Sequence, residues 1–230
     1  MTPTLRQIAA IAVFVALAAA AAPAHADRFE LGLGTASRWM PSNTVLALHD
    51  ANTTGFGLGG AMRLATISGF DLLADISYST DSSNDTTFRR LDTKTDTSLW
   101  LAGVRARRDI APYTSAHARA ALGVARVSAE INDRSSDSHI ADHDWTMSAY
   151  VGAGIDFTPV PTRLMQGQAK VSFGLRAELG YLAMTSAALE SRTGTDEMNA
   201  GVIEIPTSAA SLGDLNLSAL MLQLSVIGRF

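Results

Sequence analysis

A cluster of possible metal ligands lies between positions 131 and 144 of the chain. Its carboxylates and imidazoles are Asp133, Asp137, His139, Asp142, His143 and Asp144. Carboxylate oxygens suit calcium or magnesium, and imidazole combined with carboxylate suits zinc. The spacing matches no defined metal motif, and no glycine occupies an EF-hand-like position. We therefore expect a solvated acidic loop that binds no metal and needs no cofactor.

A second candidate for chemistry is the pair Ser115 and His117, which has the residue types of a nucleophile and its base. Their spacing places both on one face of a strand. No acidic partner for the histidine is evident in the sequence, and such a pair is common by chance. The glycine-rich stretch 55–60 lacks the lysine and helix of a phosphate-binding loop. These patterns favour a protein that is not an enzyme.

The elements that position these residues are strands, because apolar residues recur at every second position. Eight such runs follow one another through the chain, at 29–34, 56–64, 70–78, 99–107, 117–124, 145–157, 170–181 and 220–230. The run at 99–107 is the least regular. Short connections such as 65–69 alternate with long polar ones, at 38–54, 80–96, 128–144 and 184–214. This alternation predicts periplasmic turns and extracellular loops.

Composition separates a membrane barrel from a soluble β-sandwich or lipocalin-like barrel. A soluble barrel covers its outside with solvated charge, yet the chain has only two lysines, Lys94 and Lys170. The absence of cysteine excludes disulfides and thiol chemistry, and the net charge of −4 gives no general attraction for nucleic acid. We predict a closed, antiparallel, up-and-down transmembrane β-barrel of eight strands. An extra hairpin within 184–214 would make ten.

The amino-terminal segment predicts export. An apolar run from Ile8 to Ala22 precedes Ala24-His25-Ala26, which fits the small-x-small cleavage rule. An uncleaved anchor is the alternative, but about 15 apolar residues fall short of the roughly 20 that span a bilayer. We predict a signal peptide over 1–26, cleaved after Ala26, and a barrel domain over 27–230.

Aromatic residues fall into two belts once strand directions are assigned with the amino terminus in the periplasm. The belt near the periplasmic edge contains Phe29, Phe70, Phe157 and Phe230. The belt near the outer edge contains Trp39, Phe56, Tyr78, Trp100, Trp145 and Tyr181. Both belts are expected to face outer-membrane lipid.

The whole region after the signal peptide resembles the small eight-stranded outer-membrane barrels of the OmpA and OmpX type. The resemblance is strongest in the last strand, where Leu222, Leu224 and Val226 alternate toward Phe230. It implies that this strand is the signal recognised by the barrel-assembly machinery. Gly228 departs from the bulky residue usual at its position.

The lumen of an eight-stranded barrel is narrow enough to be filled by side chains. The inward charges expected there are Glu30, Arg63, Asp75, Arg105, Arg119, Arg176 and Glu178, with Asp71, Asp156, Lys170 and Arg229 nearer the periplasmic end. We expect them to pair into a network that plugs the barrel. The many inward glycines leave open the alternative of a narrow or gated channel for small solutes.

The function predicted from these features is a structural or loop-mediated surface-interaction role in the outer membrane of a Gram-negative bacterium. An extracellular or envelope protein would bind through loops 80–96, 128–144 and 184–214. A lipid-modifying enzyme within the barrel is a weaker alternative.

Overall fold

The computed structural model describes residues 28–40, 52–87, 91–133, 139–159, 162–163, 170–190 and 211–230. The predicted signal peptide lies outside these ranges. Within them the regular structure is entirely β-strand. The described residues include no helix long and apolar enough to cross a membrane.

Eight long strands and three short ones follow in chain order. The strands are β1 (Phe29–Trp39), β2 (Asn52–Ile67), β3 (Phe70–Thr87), β4 (Leu91–Ala111), β5 (Thr114–Asp133), β6 (His139–Phe157), β7 (Thr162–Arg163), β8 (Lys170–Met184), β9 (Ala187–Glu190), β10 (Ser211–Leu215) and β11 (Ala219–Arg229). All their pairings are antiparallel.

The eight long strands form a closed barrel. Strands β1 to β6 pair in sequence, β6 pairs with β8, β8 with β11, and β11 with β1. Phe29 and Phe230 exchange backbone hydrogen bonds of 3.2 and 2.9 Å at the seam. The predicted eight-stranded, antiparallel, up-and-down barrel is confirmed. The ten-stranded alternative is wrong, because β9 and β10 pair with each other and leave the β8–β11 contact intact.

Side chains on the two faces of each strand differ sharply in exposure. On the outer face Leu122 and Met147 are 70% and 71% exposed, while on the inner face Tyr150 and Leu182 are 1% and 0% exposed. Successive residues of a strand point to opposite faces, so the period-two pattern places the apolar set outside. An outer surface this apolar is suited to lipid rather than water.

One side of the barrel projects much further than the other. Strands β3, β4, β5 and β6 have 18, 21, 20 and 19 residues, whereas β1 and β11 have 11 each. The loops predicted at 80–96 and 128–144 are therefore wrong over most of their length. The threonines of the first of these segments, such as Thr86, Thr93 and Thr95, are β-branched residues that favour strands without any apolar alternation.

At the opposite end, hereafter the turn end, the hairpins are tight. Ser68 and Gly69 have φ values of 51° and 80°, as in the type I′ turns that match strand twist. Pro112 and Tyr113 form the β4–β5 turn, and Tyr113 has a φ of 67°. Strands β4 and β5 are thus joined by a tight turn, and the short strand β7 pairs with the start of β8.

Candidate functional site

Glu30 is the centre of a buried charged network in the half of the lumen near the turn end. Its carboxylate accepts hydrogen bonds from Arg105 Nη1 at 2.8 Å, Arg107 Nη1 at 3.1 Å and Arg229 Nε at 3.0 Å. Arg176 Nη2 lies 2.5 Å from the same carboxylate. These four arginines lie on β4, β8 and β11, so one carboxylate on β1 links strands across the lumen.

A second group of contacts surrounds His117 on β5. Its Nδ1 lies 3.2 Å from Asp156 Oδ1, and its Nε2 lies 2.8 Å from Glu178 Oε2. Asp156 also accepts both Nε and Nη2 of Arg176, at 2.7 and 2.8 Å, and Nη2 of Arg229 at 2.6 Å. The imidazole therefore bridges two carboxylates on β6 and β8.

The remaining members connect β3 to β4 and β5. Arg119 Nε donates to Asp75 Oδ1 at 2.9 Å, and its Nη1 lies 3.5 Å from Glu178. Asp71 accepts from Arg107 Nη2 at 2.9 Å. We call this set the charged layer; it comprises Glu30, Asp71, Asp75, Arg105, Arg107, His117, Arg119, Asp156, Arg176, Glu178 and Arg229.

The structure brings together nine of the eleven inward charges chosen from the sequence and adds Arg107 and His117 to them. The side chain of Lys170 lies outside the described residues. Arg63 lies at the edge of the layer, because its side chain is 30% exposed and its Nη1 reaches only Asp71, at 3.8 Å. Of the additions, His117 had been considered only as a possible catalytic base. Its inward position on β5 was the available signal.

The other half of the lumen is filled by apolar side chains, which sequence reasoning missed. We call this set the apolar layer; its large members are Leu99, Leu101, Val127, Tyr150, Leu182, Met184, Leu215, Leu217 and Met221. The irregular apolar pattern at 99–107 could have revealed this layer, since Leu99 and Leu101 face inward and are each only 2% exposed. The lumen is therefore closed by two different kinds of packing.

Two inward glycines make room for the ring of Tyr150. A Cβ on Gly152 would lie 2.5 Å from the tyrosine Oη, and one on Gly180 would lie 2.4 Å from it. The guanidinium carbon of Arg119 is 5.3 Å from the centre of the same ring. The ring thus fills space that the glycines leave and joins the two layers.

The short strands β9 and β10 form a hairpin that adjoins the apolar layer. Ala188 N donates to Asp144 Oδ2 at 2.8 Å, and Ser218 Oγ accepts from Met184 N at 3.0 Å. Leu215, the last residue of β10, and Leu217, just after it, are 4% and 1% exposed. This segment packs its leucines over the lumen.

The geometry around Ser115 and His117 argues against a nucleophile and base. Both residues are buried, and the acidic partners that the sequence did not reveal are present as Asp156 and Glu178. Each imidazole nitrogen faces a carboxylate, so neither is free to accept the serine proton.

Asp133 lies at the end of β5, and His139, Asp142, His143 and Asp144 lie on β6. Asp142 Oδ1 accepts from His143 N, and Asp144 Oδ1 accepts from Trp145 N, both at 2.7 Å. The side chains of Asp133 and His139, and all of Asp137, lie outside the described residues. No group of three possible ligands occurs among the described side chains. The absence of a metal stays a prediction.

Seven of the aromatic residues predicted for the two belts have exposed side chains. Trp39, Phe56, Trp100, Trp145 and Tyr181 are 37% to 56% exposed, as are Phe70 and Phe157. The rings of Tyr78 and Trp100 lie 5.2 Å apart, and those of Trp100 and Trp145 lie 5.6 Å apart. Phe173, half exposed at the turn end, is a further member that the sequence analysis omitted.

The last strand explains why a glycine is accommodated at position 228. A Cβ there would meet the Phe230 ring at 3.4 Å and the Phe173 ring at 3.6 Å. The two phenylalanines therefore cover the glycine from the outer face. Leu222, Leu224 and Val226 alternate outward along the same strand, as the register with β1 requires.

A closed barrel with an apolar outer face, aromatic belts and a filled interior defines a transmembrane β-barrel protein. Residues 9–208 match the family model described as outer membrane protein beta-barrel domain. The chain belongs to this family, and the protein is located in the bacterial outer membrane.

Solved structures of small outer-membrane proteins are similar to this chain. Ail, the attachment invasion locus protein of Yersinia pestis, is 16% identical over 90% of this chain and 100% of its own, with a TM-score of 0.49. The structure of Ail in complex with the heparin analogue sucrose octasulfate is 14% identical over 90% of this chain and 100% of its own, with a TM-score of 0.48. Neisserial surface protein A is 16% identical over 89% of this chain and 97% of its own, with a TM-score of 0.43. No curated protein matches the sequence.

Proposed function

We propose that the protein is a non-conducting barrel that presents the projecting ends of β3 to β6 to a protein partner outside the cell. The observation that supports this proposal most is the double closure of the lumen. A charged layer and an apolar layer lie in series, so a solute would have to disrupt both. Function then resides on the outside of the barrel.

The projecting sheet has the properties of a rigid binding surface. Its ladder continues well beyond the seam strands, as the register partners Ser82 with Asp96 and Asp96 with Ser128 illustrate. Backbone pairing of this kind holds side chains in fixed positions. The surface carries both signs of charge, with Lys94 Nζ 2.7 Å from Asp96. A mixed surface favours a protein partner over a polyanion, which requires a single sign.

The proposal is tested by binding to intact cells that display trimmed variants. One variant replaces residues 84–94 and 130–141 with two-residue turns, which shortens the projecting strands and keeps the barrel. The matched control replaces residues 191–210 with a two-residue turn, which keeps the β9–β10 pairing between Glu190 and Ser211. We expect partner capture to be lost in the first variant only. Gel mobility with and without heating first verifies that both variants are folded. Equal capture of the partner by both folded variants would contradict the proposal.

A narrow or gated channel is the second candidate, because a small cavity of about 60 Å³ lies inside the barrel. Recordings of the purified protein in planar bilayers separate the two functions. We expect a flat current trace in the wild type. Discrete steps that increase in frequency in a Leu217→Ser variant would instead support a channel gated by the apolar layer.

The outer face and the last strand suggest two further partners. The apolar surface and aromatic belts would contact outer-membrane lipid. The alternating segment from Leu222 to Phe230 would be recognised by the barrel-assembly machinery during insertion.

A further inference from the structure

Arg108 is a cation on the lipid-facing side of β4. Trp100, Val104 and Arg108 follow one another at intervals of four residues within the regular part of this strand, so all three side chains point to the outer face. The preceding residue, Arg107, points into the lumen, where its Nη1 lies 3.1 Å from Glu30. Arg108 is exposed on the face that the apolar side chains form.

The residues that surround Arg108 on this face are apolar. Val104 and Ile110, which flank it along β4, are 49% and 59% exposed. Its register partner on β5 is Ala116, which pairs in turn with Ile155, a residue that is 53% exposed. Exposed apolar side chains therefore continue on the turn side of Arg108 as well as on the opposite side. This arginine belongs to the surface that contacts lipid.

An aromatic ring holds the guanidinium of Arg108. Its Cζ lies 5.2 Å from the ring centre of Phe70, which is 43% exposed and belongs to the aromatic belt near the turn end. Such belts lie at the level of the lipid headgroups. Stacking on a ring face orients a guanidinium and leaves its N–H donors free in their plane. The donors of Arg108 are therefore held at the depth of the headgroups.

No acidic side chain neutralises Arg108 within the described part of the chain. The contact with Phe70 is the one side-chain interaction that it makes there. The next residue, Asp109, belongs to the opposite strand face, because its register partner Ser115 is buried in the barrel. A charged arginine on the lipid face of a barrel is unfavourable unless polar groups solvate it. The polar groups within reach of this position are those of lipid headgroups.

A phospholipid phosphate has the chemistry that this position requires. A guanidinium binds phosphate oxygens through two parallel N–H donors, and the pair is charge-assisted. A lipid with a net negative charge is favoured over a zwitterionic one, whose own ammonium group competes for the phosphate. The chain carries a net charge of −4, so long-range attraction cannot account for such a preference. A preference for anionic lipid would have to arise from a local cation.

We propose that Arg108 and Phe70 form a binding site for the phosphate of an anionic phospholipid in the leaflet that contacts the turn end. Phe70 orients the guanidinium, and Arg108 donates to the phosphate oxygens. The bound lipid fixes the depth of the barrel at this edge of the membrane. The site lies on the lipid-facing wall, so it is independent of the partner that binds outside the cell.

The first test measures urea unfolding of the full chain, by tryptophan fluorescence, in phosphatidylcholine vesicles with and without phosphatidylglycerol at constant ionic strength. Phosphatidylglycerol is expected to raise the folding equilibrium constant of the wild type about tenfold, the ratio that about one charge-assisted hydrogen bond supplies. Arg108→Gln should lose this gain, and Phe70→Leu should reduce it. The matched control Lys94→Gln, which makes the same change of charge at the projecting end, should keep it.

The second test uses only the wild-type protein, so it does not depend on the folding of a variant. Native mass spectrometry after release from bilayers with equal amounts of the two lipids should show phosphatidylglycerol retained in preference to phosphatidylcholine. In the same bilayers, NMR cross-peaks should connect Arg108 Nε–H with headgroup protons of the lipid. The proposal is overturned if the wild type retains both lipids equally. It is also overturned if Arg108→Gln gains as much stability from phosphatidylglycerol as the wild type does.

Discussion

Replacing Glu30 with glutamine removes the charge to which four arginines converge while keeping the shape of the side chain. The four contacts, of 2.5 to 3.1 Å, link β1 with β4, β8 and β11, and the Glu30 side chain is only 4% exposed. Loss of one partner from a buried ion pair costs about 3–5 kcal/mol, because the remaining charges stay buried. We expect a loss of free energy of unfolding at least in this range.

The assay is urea unfolding and refolding in lipid vesicles, followed by tryptophan fluorescence and by heat-dependent gel mobility. The matched control is Asp96→Asn, which makes the same carboxylate-to-amide change in a pair whose side chains are 25% and 43% exposed. Exposed pairs contribute about 0–1 kcal/mol, so the control should change little. A loss below about 1 kcal/mol for Glu30→Gln would refute the view that the charged layer stabilises the barrel.

Three further substitutions test other features of the barrel. Gly34→Ala should destabilise the folded barrel by about 1–3 kcal/mol, because the added Cβ would lie 1.9 Å from the Leu224 carbonyl oxygen. The same substitution at its register partner, Gly57→Ala, should change the free energy of unfolding by less than about 1 kcal/mol. Equal urea midpoints for the two variants would disprove this prediction. Tyr113→Gly should raise the free energy of unfolding by about 1 kcal/mol by relieving a φ of 67°, and an unchanged midpoint would count against that strain. Phe230→Ala should reduce the fraction of heat-modifiable barrel in outer membranes, and Phe157→Ala, in the same aromatic belt, should not; a similar reduction in both would argue against a specific role of the last strand.

Much of the fold was predictable because lipid and lumen impose opposite demands on successive residues. The run from Trp145 to Phe157 alternates without a break, and β6 contains it whole. The projecting ends of β3 to β6 were not predictable in the same way. The segment that contains Thr93, Thr95 and Thr97 shows no apolar alternation. Only pairing between β4 and its neighbours makes this segment a strand.

The candidate site shows the same division. Alternation identified Glu30, Arg105 and Arg176 as inward charges, yet it gave no partners, and it left His117 without an evident acidic partner. Leu99 and Leu101 were overlooked because their strand is apolar on both faces. A residue that packs in a closed lumen needs no polarity, so periodicity alone does not distinguish it from a lipid-facing one.

What the sequence determined by itself was the barrel, the two faces of its strands and its aromatic belts, since each depends on residues close together in the chain. What only the tertiary structure decided was which charges meet. Glu30 contacts Arg105 and Arg229 across 75 and 199 positions of sequence, respectively. Those encounters are set by strand register and barrel closure, which place distant residues at one height of the lumen and which local pattern does not encode.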